Sequence, residues 1–526
     1  MKVLISDALG EQGVNMFKEA GDIDVDVNTG LSPDELKRII GNYDALVIRS
    51  ATQVTANLLE AATRLKVVGR AGIGLDNVDI PAATKQGVVV MNTPEGNVVT
   101  TAEHAISMML ALSRNIPQGT ALLKAGRWDK KNLQGREVFN KILGVIGCGK
   151  IGSIVADLAR GLKMQVIVHD PYVSSDIIKK KGFEGVTLEQ LFQRSDYITV
   201  HVPKLKDTIG LINKAAFEKM KDGVMIINCA RGGIVNETDL LDALTTGKVA
   251  GAALDVFETE PPGNLPLLQH DRLICTPHLG ASTQEAQTNV AVAIAGQIID
   301  YLKTGTVINA VNAPSVTGEL LVNLRPFLTL ADRMGCLQAQ LADWPLKEVI
   351  IEYAGDFKGL DLSPVTMAVL KGLLSPSVKD DVNFVNAQIL AKERGIKVKE
   401  TTSLEAEDFV NLITVQTLSS SEAITVAGTI YGKKDPRIVK MNNFRLEMIP
   451  EGHIALIYNI DQPGSIGEIG STLGHYDVNI DRMQVGQEKE GKRNIIFLCT
   501  DIPIPDRALE ELRGLPLVKS VTPLEL

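Results

Sequence analysis

Between residues 142 and 170 an apolar run, a glycine-spaced turn, an amphipathic stretch and a second apolar run follow one another, and Asp170 closes the series. Ile142-Leu143-Gly144-Val145-Ile146 suits a buried parallel strand, which is apolar on both faces. The turn Gly147-Cys148-Gly149-Lys150-Ile151-Gly152 comes next. Ile151, Ile154, Val155, Leu158 and Ala159 then recur on one face of a helix. Gln165-Val166-Ile167-Val168-His169 forms the second strand. Strand, glycine turn, helix, strand and acid together make a dinucleotide-binding unit, whereas the glycine spacing alone would mean little in a chain with 46 glycines. In such a unit Gly147 allows the tight turn, Gly149 lets backbone approach a pyrophosphate, and Gly152 lets helix and strand pack closely. The helix N-terminus offers unpaired N–H groups to the anion. Asp170 would accept hydrogen bonds from the adenosine ribose and repel a 2′-phosphate, so NAD is expected rather than NADP.

The rest of the chain is read around this unit. Its 526 residues exceed one ordinary domain, and 45% hydrophobic with 22% charged residues fits a soluble globular protein. A net charge of −9 without basic tracts argues against nucleic acid as a partner. No run is apolar enough for a membrane span, and Lys2-Val3-Leu4-Ile5 reads as a first strand rather than a signal segment. The five cysteines (148, 229, 275, 336 and 499) are scattered and lack CxxC spacing. Neither disulfides nor a metal site is expected, and a cytoplasmic location follows.

The first hundred residues alternate strands and helices, with apolar runs ending at Asp7, Arg49, Arg70 and Asn92. Such alternation predicts a parallel sheet covered on both faces. Residues 103 to 125 read as one long helical stretch, and strands after the glycine turn end near Asp170, His201, Arg231, Asp255 and His278. Ligands of open α/β sheets bind outside the carboxyl ends of the strands, so these five polar stops would surround one site. Asn309 to Pro314 reads as a linker, and the last 75 residues follow a βαββαβ order, a ferredoxin-like module.

RAGIGLDNVDI from Arg70, NTPEGN from Asn92, INCARGGIVNE from Ile227, AALDVFETEPP from Ala252 and CTPHLGAST from Cys275 resemble the D-isomer-specific 2-hydroxyacid dehydrogenases over essentially the whole chain. The resemblance is closest to their long form. It implies an α/β architecture with a split flavodoxin-like substrate domain (1–98, returning at 287–313), an inserted Rossmann NAD domain (99–286), an α+β intervening regulatory domain (314–448) and a C-terminal ACT domain (452–526). For the long form, the implied reaction is NAD-dependent oxidation of 3-phospho-D-glycerate to 3-phosphooxypyruvate, the first committed step towards L-serine. Another 2-oxo acid, such as hydroxypyruvate or glyoxylate, is the alternative within the family. An NADH-sensing interaction protein is the alternative outside it.

By the same resemblance His278 is the base, Glu260 its carboxylate partner and Arg231 the substrate arginine. Imidazole suits proton abstraction because it titrates near neutrality, and a guanidinium fork suits a 2-oxo acid better than a lysine. Matching positions imply further NAD contacts at Gly147, Gly149, Lys150, Ile151, Gly152, Asp170, Val202, Cys229, Ala230, Arg231, Asp255, His278, Leu279, Gly280 and Ala281. Val202 departs from the family's usual threonine. On the substrate side Arg49, Ser50, Arg70, Gly72 and Asn97 match, with Lys130 following Trp128-Asp129 as the additional basic residue. Asn459, Asp461 and Asn479 match effector positions, which implies L-serine as a regulator. Asn459 stands where some relatives carry a larger side chain. A homotetramer is expected from the resemblance alone.

Overall fold

The computed structural model describes residues 1–314, 318–357, 359–378, 382–432, 434–488 and 493–526. The chain divides into two compact units, one of residues 1–8, 14–92 and 294–526, the other of residues 9–13 and 93–293.

The first unit contains a parallel sheet of β1 (Lys2–Ile5), β2 (Asp24–Val27), β3 (Ala45–Ile48), β4 (Val67–Arg70) and β5 (Val89–Met91), in the order β2-β1-β3-β4-β5. This is the flavodoxin-like order expected. All residues of β3 and β5 are buried, which is why those runs are continuously apolar. Side-chain caps fix where the connecting helices begin. Ser32 and Glu35 form a capping box for Pro33–Ile39, Thr55 caps Ala56–Ala61, and Asp79 caps Ile80–Lys85.

In the second unit a parallel sheet runs β12-β11-β10-β9-β6-β7-β8. Its strands are β6 (Ile142–Ile146), β7 (Gln165–His169), β8 (Glu184–Gly185), β9 (Tyr197–Val200), β10 (Val224–Asn228), β11 (Val249–Leu254) and β12 (Leu273–Cys275). This is the 3-2-1-4-5-6 order of a dinucleotide-binding fold with one further strand, and its switch point lies between β6 and β9. The long helical stretch expected over 103–125 is helical, divided into Val98–Ser113 and Ile116–Lys124. Asn115 separates them at φ +50°. The first helix is largely buried, while the second buries no residue.

The remainder of the first unit forms a ten-stranded sheet in the order β14-β13-β15-β16-β17-β18-β20-β21-β19-β22. The strands are β13 (Glu348–Gly355), β14 (Lys397–Ser403), β15 (Asn411–Leu418), β16 (Ala423–Tyr431), β17 (Asp435–Met441), β18 (Phe444–Met448), β19 (His453–Ile460), β20 (Ile480–Glu488), β21 (Arg493–Thr500) and β22 (Val518–Glu525). Helices Gly318–Leu341 and Ser363–Leu374 cross where glycines bring backbones together. A Cβ on Gly335 would lie 2.1 Å from the Val369 carbonyl oxygen, and one on Gly372 1.9 Å from that of Asp332. The last four strands, with helices Ser465–His475 and Asp506–Gly514, make the expected ferredoxin-like module.

Asn309–Pro314, read as a linker, is stitched to the free edge of β5. Asn92 N–H donates to the Asn309 carbonyl at 3.3 Å and Val311 N–H to that of Val90 at 2.9 Å. The Asn312 side chain accepts from Val90 N–H and donates to the Val88 carbonyl, both at 2.8 Å. An edge strand has unpaired backbone groups, and this segment satisfies them.

Candidate active site

In the second unit the glycine turn follows β6 as expected. Gly147 has φ +98°, and a Cβ there would sit 2.5 Å from the His201 carbonyl oxygen. A Cβ on Gly152 would sit 2.0 Å from the Gly147 carbonyl oxygen. Both positions exclude any side chain. Gly149 differs: a Cβ there would meet nothing within 4 Å. It is the N-cap of helix Lys150–Gly161 and supplies no side-chain cap to the first N–H groups of that helix. Asp170 accepts from Cys148 N–H at 2.7 Å and Tyr172 N–H at 2.8 Å, tying the turn to the end of β7. Carboxylate oxygens keep further lone pairs for ribose hydroxyls. Open cradle, uncapped helix and terminal acid fit a dinucleotide. Lys150 pairs with Glu95 at 2.8 Å on the surface, Ile151 is half-buried, and a Val202 methyl packs beside Gly147.

Arg231 lies in a tight turn just past β10. Asn228, almost fully buried, accepts from Ala230 N–H at 3.0 Å and donates to the Arg231 carbonyl at 2.9 Å. The guanidinium donates to the Ala230 carbonyl at 2.7 Å. Next to it a Cβ on Gly232 would lie 1.8 Å from the Phe257 carbonyl oxygen. The arginine turn therefore rests backbone to backbone on the loop that carries Glu260. Within that loop Phe257 N–H donates to Glu260 Oε1 at 3.1 Å, and Glu258 N–H donates to Glu237 Oε1 at 2.6 Å. Glu260 Oε2 meets His278 Nδ1 at 2.7 Å. Glu260 and His278 are thus in direct contact, and the turn that carries Arg231 packs against the backbone of the Glu260 loop.

His278 has φ +54°, a left-handed conformation uncommon outside glycine. Asp255, fully buried at the end of β11, braces it. The Asp255 backbone carbonyl accepts from His278 N–H at 2.9 Å. Its carboxylate takes Leu279 N–H at 2.7 Å, Gly280 N–H at 2.8 Å, the Thr276 hydroxyl at 2.5 Å and His104 Nε2 at 3.2 Å. Burial by itself would raise the Asp255 carboxyl, but the bonds from His104, Thr276 and Leu279 outweigh it and hold the group below the usual carboxylate range. Burial, and then the Asp255 charge, push the buried Cys229 thiol up, so it stays neutral. Ala230 and Ala281 are half-buried, Leu279 is partly exposed, and Gly280 packs against the Asp255 carboxylate. His104 lies outside the motifs quoted above, whereas Asn228, Glu237 and Thr276 lie within them and take their places in the site through these bonds.

The expected substrate residues fall in both units. In the first, Asp7 at the end of β1 accepts Arg49, Ala51 and Thr52 N–H groups at 2.6, 3.2 and 3.1 Å, which shapes the turn of Arg49 and the exposed Ser50. The Arg49 guanidinium reaches the Ala8 carbonyl at 3.2 Å. Gly72 has φ +148°, and its Cβ would fall 2.0 Å from Arg70 Nη1, so the guanidinium folds over the glycine. In the second unit Asn97 precedes helix Val98–Ser113, its buried Oδ1 without a hydrogen-bond partner among the described residues, and Lys130 is exposed near Trp128.

Of the effector positions, Asn459 is buried near the end of β19 and donates to Ser465 Oγ at 2.7 Å, while its Oδ1 has no partner among the described residues. Asp461 is exposed just beyond. Asn479 lies at the other end of the module, bonded to Asp501 and Asp481. β19 pairs Asn459 with Asn494 and His453 with Thr500, and β20 pairs Ile480 with Thr500. One copy of the chain therefore separates Asn459 from Asn479 by about 20 Å at 3.3 Å per residue.

Three family models match the chain: the NAD binding domain of D-isomer specific 2-hydroxyacid dehydrogenases over residues 106–280, the D-3-phosphoglycerate dehydrogenase intervening domain over 323–442, and the ACT domain over 453–517. The chain is 42% identical to a D-3-phosphoglycerate dehydrogenase of Archaeoglobus fulgidus, with all of both chains covered. It is 42% identical to one of Synechocystis, covering 97% of this chain and 92% of the relative, and 41% identical to one of Bacillus subtilis, covering 100% and 99%. Among solved structures, TT0316 from Thermus thermophilus matches with TM-score 0.55 and 29% identity, covering 59% of this chain and 100% of that one. D-lactate dehydrogenase from Aquifex aeolicus, solved with NAD and lactic acid, matches with TM-score 0.53 and 28% identity over 60% of this chain and 100% of that one.

Proposed function

Because the chain belongs to the D-3-phosphoglycerate dehydrogenases among the D-isomer specific 2-hydroxyacid dehydrogenases, we propose that it oxidises 3-phospho-D-glycerate to 3-phosphooxypyruvate with NAD. The observation that carries this reading is the His278–Glu260 contact of 2.7 Å, held beside the Arg231 turn. With Nδ1 engaged by Glu260, Nε2 of His278 is left to take the C2 hydroxyl proton, and the carboxylate stabilises the imidazolium that forms. NAD, when bound, accepts the hydride from C2. Arg231 pairs with the substrate carboxylate and the oxygen that becomes the carbonyl. In the reverse direction the protonated imidazole returns the proton as the carbonyl is reduced. Arg49 and Arg70 are assigned to the phosphate, with Lys130 adding charge and Ser50, Gly72 and Asn97 lining the substrate. The Asp7 bonds to the Arg49 turn and the Gly72 position under Arg70 support that assignment.

The ACT domain is assigned to feedback by L-serine through Asn459, Asp461 and Asn479. The buried Asn459 Oδ1, without a partner among the described residues, supports it, since an ammonium group would satisfy that acceptor. The separation of Asn459 from Asn479 in one copy accords with a site shared between copies of a homotetramer. The reading places the enzyme in the cytoplasm. Following NADH absorbance with 3-phosphooxypyruvate, hydroxypyruvate and glyoxylate tests the substrate. Preference for the phosphorylated acid is the expected result, and preference for an unphosphorylated one would replace it with the other family activity.

A further inference from the structure

Helix Val98–Ser113 carries a single histidine, to which the reaction as described gives no task. His104 is mostly buried, with 19% of its side chain exposed, and its Nε2 lies 3.2 Å from both Asp255 Oδ1 and Thr276 Oγ1. The only hydroxyl proton of Thr276 is directed to Asp255 at 2.5 Å, so towards His104 that oxygen can only accept. A carboxylate also only accepts. Both contacts therefore need a proton on Nε2 of His104, whichever charge the ring carries.

The two groups that receive it control the backbone of the base. Thr276 stands two residues before His278, and its carbonyl accepts from His278 N–H at 3.0 Å. The Asp255 carboxylate gathers the N–H groups of the two residues after His278. The left-handed backbone of His278 is thus clamped on both sides by groups that converge on one imidazole N–H. We propose that His104 is a positioning residue: its Nε2–H orients Asp255 and Thr276, and through them keeps His278 in reach of Glu260 and of the substrate hydroxyl. This rests on the assignment of His278 as the base.

The test uses the full chain and three variants, assayed with 3-phosphooxypyruvate and NADH, with NADH binding followed by fluorescence. In His104→Gln the amide nitrogen falls close to the position of Nε2, whereas in His104→Asn it stops short. His104→Asn is expected to lower kcat about tenfold or more, with KM and NADH affinity within about twofold of the parent. His104→Gln is expected to recover most of that loss. A His104→Asn variant with parental kcat overturns the proposal, as does a His104→Gln variant impaired as much as His104→Asn, which would mark a merely structural role. His278→Ala run in parallel separates the two claims. Its loss of turnover keeps the base assignment whatever the His104 variants do, and its retention of turnover removes the base assignment and this proposal with it.

Discussion

Burial acts on His201 and Asp255 in the same unit with opposite results. Burial pushes His201 down to about 4, because little offsets the cost of charging its ring. Asp255 collects enough donors to stay ionised despite its burial. For His201 the unfolded chain binds a proton that the folded chain refuses, so stability falls as pH drops from about 6.5 towards about 4. For Asp255, whose folded value is depressed, stability is present above the unfolded carboxylate value and disappears only as pH falls through the folded one. The histidine arm therefore comes first on acidification. We predict a loss of about 1–3 kcal/mol in the nucleotide unit between about pH 7 and about pH 4.5, seen as a lower urea midpoint, and a flatter profile for His201→Asn. A second residue-scale prediction concerns Gly232. A methyl there would lie 1.8 Å from the Phe257 carbonyl oxygen, so Gly232→Ala must part the arginine turn from the Glu260 loop. Stability should fall by about 1–3 kcal/mol and kcat by about tenfold or more, while fluorescence still reports NADH binding.

At the scale of elements, what was legible in the sequence is what local chemistry decides. Gly147 is required by its φ of +98° in the turn and Gly152 by the Gly147 carbonyl of the same turn, and a strand buried on both faces must be continuously apolar. The break within the 103–125 stretch is hidden because it is tertiary. Arg136 N–H takes the Ser113 carbonyl at 2.8 Å, and Asn115 Nδ2 reaches the Gln134 carbonyl at 3.3 Å, so a distant segment ends the first helix. The pairing of the 309–314 linker is hidden in the same way, since only the exposed edge of β5 turns those residues into a partner. His104 and Thr276 are 172 residues apart, and no spacing rule joins them. Their roles become visible only once β11 and β12 set Asp255 beside the His278 loop. The crossing of helices Gly318–Leu341 and Ser363–Leu374 gives a prediction at this scale. Gly372→Ala would place a methyl 1.9 Å from the Asp332 carbonyl oxygen and pry the pair apart. The first unit should lose about 1–3 kcal/mol by urea unfolding, while NADH binding by the second unit is unchanged.

Over the whole molecule the parts attributed to the cofactor and to the effector belong to different compact units. The glycine turn, Asp170 and the His278 network lie within 93–293, while the ten-stranded sheet with its ACT module lies in the other unit and is continuous through the β18–β20 pair. That continuity argues that the intervening and ACT segments unfold together rather than as separate modules, because parting them would expose the paired edges of both. NADH binds the folded nucleotide unit and has no site in an unfolded chain, so at about a hundredfold excess over its dissociation constant it stabilises that unit by about 2.7 kcal/mol. For a domain of this size each kcal/mol raises the midpoint by about 2–4 °C. Scanning calorimetry should therefore resolve two transitions, with NADH moving one of them up by about 5–10 °C and leaving the other in place. L-serine at saturation should move the transition that NADH does not. If NADH shifts both by the same amount, the two units unfold as one cooperative body, and the separation of cofactor and effector parts is one of position only.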